Sequence, residues 1–355
     1  MGFSHRWDTI GTTERFARAM SESGPSLAQA VVKAATPVST AAEQHKEAAD
    51  RIGPIRCRLE NGGATLEGVV ADEPRAAQTA ASKRTWQTAA AGWERNADLV
   101  ARTSEPVTRW VVEHIEPRPG DIVLELGAGP GDLGFAISAR VAPAGRVIST
   151  DFAPAMVSVA RRRAVAFGVD NIEFRVMDAQ DIDIADASVD AVVHRFGPML
   201  LPDPERSARH VERVLRRGGR YATVVWGAPS ANPMFPMFGA ALAGLGLAPA
   251  GPPPSGSAPD LTDPDVTREL LGRCGFVDVV VDTVDHPFAF VSFDELWAMP
   301  TEIAGPVAEL LRRLDETDYR RAQEAIRDGA ERFRDGDGYA IPGLAVCAFA
   351  RTPDR

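Results

Sequence analysis

The chain has 355 residues, 45% of them hydrophobic and 25% charged, and a formal net charge of -10 at pH 7. That length suits one large α/β domain with additions, because single cores stop growing at about 250–300 residues. The acidic balance repels polyanions and no apolar run reaches the length of a membrane span, so nucleic acid and bilayer are poor expectations as partners.

From Met1 to about Ala80 the sequence is rich in Ala, Ser, Thr and Glu without sustained periodicity, and a loosely structured, mobile extension over 1–80 is expected. Asn61-Gly62, between Ile55 to Leu59 and Ala64 to Val70, is the place for a small hairpin if there is one. Met1 to Thr13 lacks the pattern of a secretory signal, which makes the cytoplasm the default location. Cys57, Cys274 and Cys347 are too widely spaced for a metal clip or a disulfide framework, and no metal is expected.

After Trp86 the pattern tightens. Ser104 can cap a helix opening with Glu105-Pro106, with Val107, Trp110, Val111 and Ile115 on one face. Strand-like runs then alternate with helical ones. The strands are Ile122 to Leu126, Val147 to Thr150, Ile172 to Met177, Ala191 to His194 and Tyr221 to Trp226; the helices are marked by Phe135 to Val141, Met156 to Ala166 and Ala208 to Leu215. Such alternation predicts a doubly wound α/β fold, with ligands beyond the carboxyl ends of the strands. Arg161, Arg162 and Arg163 read as the solvated face of a helix. Residues 229–259, rich in Pro and Gly, and the helical stretch 293–333 are candidate lids, and strands over 277–284 and 343–350 complete a mostly parallel, seven-stranded sheet. The catalytic domain is thus expected over 81–355, with its core at 105–226.

The central chemical signal is Glu125-Leu126-Gly127-Ala128-Gly129-Pro130-Gly131, a strand entering a glycine-rich turn and then a helix. Alternate glycines let a ligand approach the backbone where a Cβ would obstruct it. Acidic residues close the next two strands, Asp151 after Val147 to Thr150 and Asp178 after Ile172 to Met177. By the strand-end rule the three places converge on one crevice, with acceptors suited to ribose hydroxyls and an adenine amino group. Taken singly, Glu125 could be a buried strand residue, Asp151 a helix cap and Asp178 a turn former.

The chain here resembles the class I S-adenosylmethionine-dependent methyltransferases, whose first motif has the form acidic-x-Gly-x-Gly-x-Gly. It looks most like the branch holding the ubiquinone and menaquinone biosynthesis C-methyltransferases. Further matching stretches are Trp93-Glu94-Arg95, Met177-Asp178-Ala179, Arg195-Phe196-Gly197 followed by Pro202-Asp203, and Leu215-Arg216-Arg217-Gly218-Gly219. The resemblance implies S-adenosylmethionine as cofactor, with Gly127, Ala128 and Gly129 against its methionine part and Glu125 near its ammonium. It further implies Asp151 on the ribose hydroxyls, Phe152 packed on adenine, Asp178 with the Ala179 backbone reading the adenine edge, and His194 and Arg195 completing the shell.

A sulfonium methyl group is already activated, so alignment and exclusion of water are the main requirements. Where an acceptor needs a base, His194 at the end of the fourth strand is the candidate catalytic residue. Apolar residues in the two lid candidates, including Phe235, Met237, Phe238 and Trp297, suggest a small apolar or aromatic acceptor and O- or C-methylation. The alternatives are a catalytically silent binding module on the same fold and a nicotinamide-dependent oxidoreductase. A G-x-G-x-x-G does occur at Gly129, Gly131 and Gly134, but it starts after the strand has ended, and Pro130 removes an N–H donor there. Oligomeric state is not legible.

Overall fold

The computed structural model describes residues 66–248 and 259–354. Helices α1 (Leu66–Arg95), α2 (Ala97–Thr103) and α3 (Glu105–Ile115) lead into β1 (Ile122–Leu126), α4 (Asp132–Val141), β2 (Arg146–Asp151), α5 (Pro154–Phe167) and β3 (Ile172–Val176). Then follow β4 (Val189–Arg195), α6 (Pro204–Val214), β5 (Leu215–Trp226), α7 (Met234–Gly244), α8 (Pro264–Arg273) and β6 (Val277–Asp285). The last part holds β7 (Phe288–Phe290), α9 (Phe293–Ala298), α10 (Gly305–Leu311), α11 (Glu316–Ala330), β8 (Arg334–Asp335), β9 (Gly338–Ile341) and β10 (Leu344–Arg351).

The main sheet has seven strands in the order β3-β2-β1-β4-β5-β10-β6. The first five run parallel, and β10 is antiparallel to both of its neighbours. Central strands β1, β2 and β4 are buried along nearly their whole length, as a sheet covered on both faces requires. Val123, Val147, Ala191 and Val193 face α3 and α4, where Val111, Ile115, Leu133 and Ile137 meet them. Leu124, Leu126, Ile148 and Val192 face the other way, toward Val211 of α6 and Leu270 of α8. Strand order reverses between β1 and β4, which opens a crevice at their carboxyl ends.

The two stretches expected as lids contribute to a second apolar core, in which Phe238, Phe288, Leu296, Leu311, Ile326 and Ile341 are buried. A small antiparallel sheet, β7-β9-β8, belongs to it. The short alternation of Phe288, Phe290, Tyr339 and Ile341 was hidden in flanking loop-like sequence. Within the 293–333 stretch, Met299–Ile303 forms a π-turn.

Helix α1 runs through the boundary expected at residue 80, so Leu66 to Val70 are helical and do not form a hairpin strand. Ile55 to Leu59 and Asn61-Gly62 lie outside the described residues. Ala-rich helix turns lack the large apolar side chains that mark a period in sequence. No helix among the described residues is long and apolar enough to cross a membrane.

Candidate active site

The carboxyl ends of β1, β2 and β4 and the turn after β3 open on one cleft of about 960 Å³, its open mouth included. Of the sequence-expected site residues, Gly127, Ala128, Gly129, Asp151, Phe152, Asp178, Ala179, His194 and Arg195 all line it. The turn after β1 needs glycine: Gly127 and Gly129 have φ of 62° and 54°, and a Cβ on Gly129 would lie 3.7 Å from the Trp93 ring. Behind the turn, Arg163 donates to the Pro130 carbonyl at 2.5 Å while its guanidinium lies over Phe135 and Phe167. This corrects the reading of Arg163 as a solvated residue; Arg161 and Arg162 are exposed.

Asp151 accepts from the Gly129 amide at 3.1 Å and from the Ala153 amide at 2.9 Å. One carboxylate therefore fastens the glycine turn and shapes the entry to α5, while keeping lone pairs for donors in the cleft. Burial pushes its pKa up to about 6, against the lowering effect of those amides. Asp178 accepts from the Gln180 amide at 2.9 Å, which bends the chain so that Ala179 and Gln180 also face the cleft.

Glu125 is a correction. It is 2% exposed and does not reach the cleft wall. It shares the α4-facing side of β1 with Val123, and its carboxylate accepts from the Gly134 amide at 2.9 Å and the Ser149 hydroxyl at 2.7 Å. A Cβ at Gly134 would fall 2.3 Å from its Oε2, so the helix packs directly on this acid. Burial pushes the Glu125 carboxyl up to about 7. Its place is structural, joining β1, β2 and α4.

His194 lies in the cleft wall at 2% exposure, and burial lowers its pKa to about 3. A general base works best near the operating pH, and burial leaves this imidazole neutral and a poorer base than a free histidine. Beside it Arg195 donates to Asp132 at 2.7 Å and to Thr108 Oγ1 at 2.6 Å, and its side chain is 9% exposed.

The lining that sequence reasoning missed comes from α1 and the α2–α3 junction: Thr79, Ser82, Trp86, Trp93, Val100 and Ser104. Trp86 and Trp93 are seven residues apart and so share a helix face, a signal the sequence did contain. Helix α1 is held by the π-turn, with Trp93 Nε1 donating to the Ile303 carbonyl at 2.9 Å and Asn96 to Glu302 at 2.7 Å. The 293–333 stretch thus touches the helix that lines the cleft, and none of its own residues lines it. Asn232 has its own structural job, since its amide bonds the Gly227 carbonyl and both backbone groups of Leu344.

Residues 117–231 match the family model described as a methyltransferase domain. Over 134 residues the chain is 34% identical to a phosphatidylethanolamine N-methyltransferase from Cereibacter sphaeroides, covering 38% of this chain and 64% of the relative. It is 34% identical over 117 residues to an aklanonic acid methyltransferase from Streptomyces sp. (strain C5), covering 33% and 53%. A ubiquinone/menaquinone biosynthesis C-methyltransferase from Hahella chejuensis is 31% identical over 127 residues, covering 36% and 51%. The matched stretch thus spans about half to just under two thirds of each of these relatives. The stretch matched by the family model, residues 117–231, contains the glycine turn, Asp151, Asp178 and the first five strands. Over residues 117–231 the chain thus carries a stretch similar to a methyltransferase domain, built on the five parallel strands of the sheet.

Proposed function

We propose that this protein transfers the methyl group of S-adenosylmethionine to carbon or oxygen of a small, apolar or aromatic acceptor. The observation that carries this reading is the convergence of the Gly127–Gly129 turn, Asp151 and Asp178 on one cleft. The residues fit the cofactor. A nucleoside needs hydroxyl and amino acceptors, which Asp151 and Asp178 supply, and the close backbone of the turn leaves room for the methionine part. When bound, the cofactor supplies an activated methyl group.

The chain's own residues then orient and enclose. Asp151 accepts from ribose hydroxyls, Asp178 and the Ala179 backbone read the adenine edge, and Phe152 covers the ring. The close backbone of Gly127 to Gly129 abuts the methionine end, with neutral His194 packed behind it and Arg195 beside it. Trp86 and Trp93 reduce access of water to the reacting centre. This arrangement catalyses by alignment, with His194 in a packing role.

The relatives' names differ in the acceptor they give: phosphatidylethanolamine, aklanonic acid, and ubiquinone or menaquinone biosynthesis. Choice of acceptor therefore resides in groups that vary around a common cofactor site. Here the surrounding wall is largely apolar, with Trp86, Val100, Phe196, Leu200 and Leu201. A small molecule also suits the net charge of -10 better than nucleic acid does. The test is a turnover screen with labelled S-adenosylmethionine over neutral aromatic, quinone-like and highly charged acceptors. Preference for neutral aromatic acceptors supports the reading; preference for highly charged ones removes the acceptor class, and cofactor binding without any turnover favours a silent module.

A further inference from the structure

Ser104 stands where α2 ends and α3 begins, at the position of a helix cap, yet its hydroxyl makes no capping bond. The chain stays helical through it, at φ -88° and ψ 0°. Its amide donates to Val100 and its carbonyl accepts from Thr108, each at 2.9 Å. In that backbone geometry the hydroxyl is not aimed at the first amides of α3. The residue is 6% exposed and lines the cleft. A hydroxyl on a buried residue of the cleft wall that makes no capping bond is available to bond a ligand oxygen.

Its neighbours locate it. One turn earlier, Val100 lines the same cleft; one turn later, Thr108 receives Arg195 from the end of β4. Ser104 therefore belongs to the β4 end of the crevice. Asp178 follows β3, three strand spacings away in the order β3-β2-β1-β4, about 14 Å at 4.8 Å per strand. The acceptors proposed for the nucleoside thus lie over β2 and β3, whereas Ser104 is tied to the end of β4 through Thr108 and Arg195.

The wall around Ser104 is apolar and aromatic. Phe196, held at φ 55°, stacks on Trp226 at 3.9 Å between centroids and 13° between planes, and also lines the cleft. Leu200 and Leu201 continue the wall. The charged group here, Arg195, is engaged by Asp132 and Thr108. Such a subsite favours a flat neutral ligand with one hydrogen-bonding oxygen, because an anion would find its counter-charge already neutralised.

We propose that the Val100–Ser104–Phe196 end of the cleft is the acceptor subsite, with the Ser104 hydroxyl bonding a hydroxyl or carbonyl oxygen of a neutral aromatic acceptor. This rests on the cofactor reading given above and adds the specificity-determining residue. No covalent step is assigned to Ser104; it positions the acceptor.

The experiment uses the full chain saturated with S-adenosylhomocysteine and compares 1-naphthol with naphthalene, its hydroxyl-free analogue, by calorimetry or tryptophan quenching. In Ser104→Ala the 1-naphthol to naphthalene affinity ratio is expected to fall about 3- to 10-fold relative to the unaltered protein, the scale of one neutral hydrogen bond. Ser104→Thr, which keeps the hydroxyl, should retain more of the ratio than Ser104→Ala. Affinity for S-adenosylhomocysteine should stay within about twofold in Ser104→Ala, on the scale of less than one hydrogen bond. An unchanged ratio, or no binding of either probe beside S-adenosylhomocysteine, overturns the subsite. Loss of S-adenosylhomocysteine affinity in Ser104→Ala also overturns it, by assigning the hydroxyl to the cofactor. Failure of the unaltered protein to bind S-adenosylhomocysteine would instead remove the cofactor reading, and the subsite with it.

Discussion

The Gly129 amide donates to Asp151 Oδ2 at 3.1 Å, so the glycine turn after β1 and the acid ending β2 are already fastened together. In the proposed reading, ligand recognition and scaffold geometry share this one carboxylate. Asp151→Ala is expected to weaken S-adenosylhomocysteine binding by about 1–3 kcal/mol, through loss of the hydroxyl acceptor and of restraint on the turn. Calorimetry on both proteins measures this, and equal affinities would remove the ribose assignment.

The same carboxylate gives binding a pH dependence. Burial pushes the Asp151 pKa up to about 6, while ribose hydroxyls donate best to its ionised form. Affinity should therefore fall as pH drops through about 6, with the dependence attenuated in Asp151→Asn. Titrations from pH 5 to pH 8 check this, and the same dependence in both proteins would contradict it.

Glu125 affects folding more directly than ligand binding. Its pKa is raised from 4.5 to about 7 by burial, so its contribution to stability is present below about 4.5 and is lost as pH rises through about 7. The scale is about 3 kcal/mol for that shift. Glu125→Gln removes the buried charge and can still accept from the Gly134 amide, with its own amide nitrogen donating to the Ser149 hydroxyl. Urea unfolding at pH 5.5 and pH 8 should show a smaller alkaline loss in the variant; parallel losses would contradict the account.

Gly197 faces the His194 ring so closely that an added Cβ would lie 2.0 Å from Nε2. Gly197→Ala should therefore displace the imidazole and cost about 1–3 kcal/mol of stability, as overpacking does. Thermal unfolding with and without S-adenosylhomocysteine measures both effects. Native stability and affinity in the variant would mean that the ring moves aside without consequence.

His286 is 1% exposed, with neither ring nitrogen hydrogen-bonded, among Phe196, Trp226 and Phe288. Burial lowers its pKa from 6.5 to about 4. Its contribution is present above about 6.5 and is lost as pH falls through about 4. His286→Phe should weaken the acid dependence of stability between pH 6.5 and pH 4, and an unchanged dependence would contradict the assignment.

Much of this geometry was legible in sequence because parallel strands read as apolar runs and their ends carry the ligand groups. That placed Gly127, Gly129, Asp151 and Asp178 around one cleft. Glu125 was misplaced because β1 is buried on both faces, so no polar alternation reported which side each residue took. Ser104 looked like a cap, but the chain runs helically through it and its hydroxyl makes no capping bond. Trp86 and Trp93 lay near the edge of an Ala-rich stretch whose helix had no wide apolar stripe. The small β7-β9-β8 sheet was obscured because its strands are two to four residues long.

The central claim is that this cleft binds S-adenosylmethionine, and calorimetry with S-adenosylmethionine, S-adenosylhomocysteine and NADH tests it most directly. The account predicts saturable binding of both adenosyl ligands, weakened by Asp151→Ala, and no competing binding of NADH. Binding of NADH alone, or no binding of either adenosyl ligand, would contradict it.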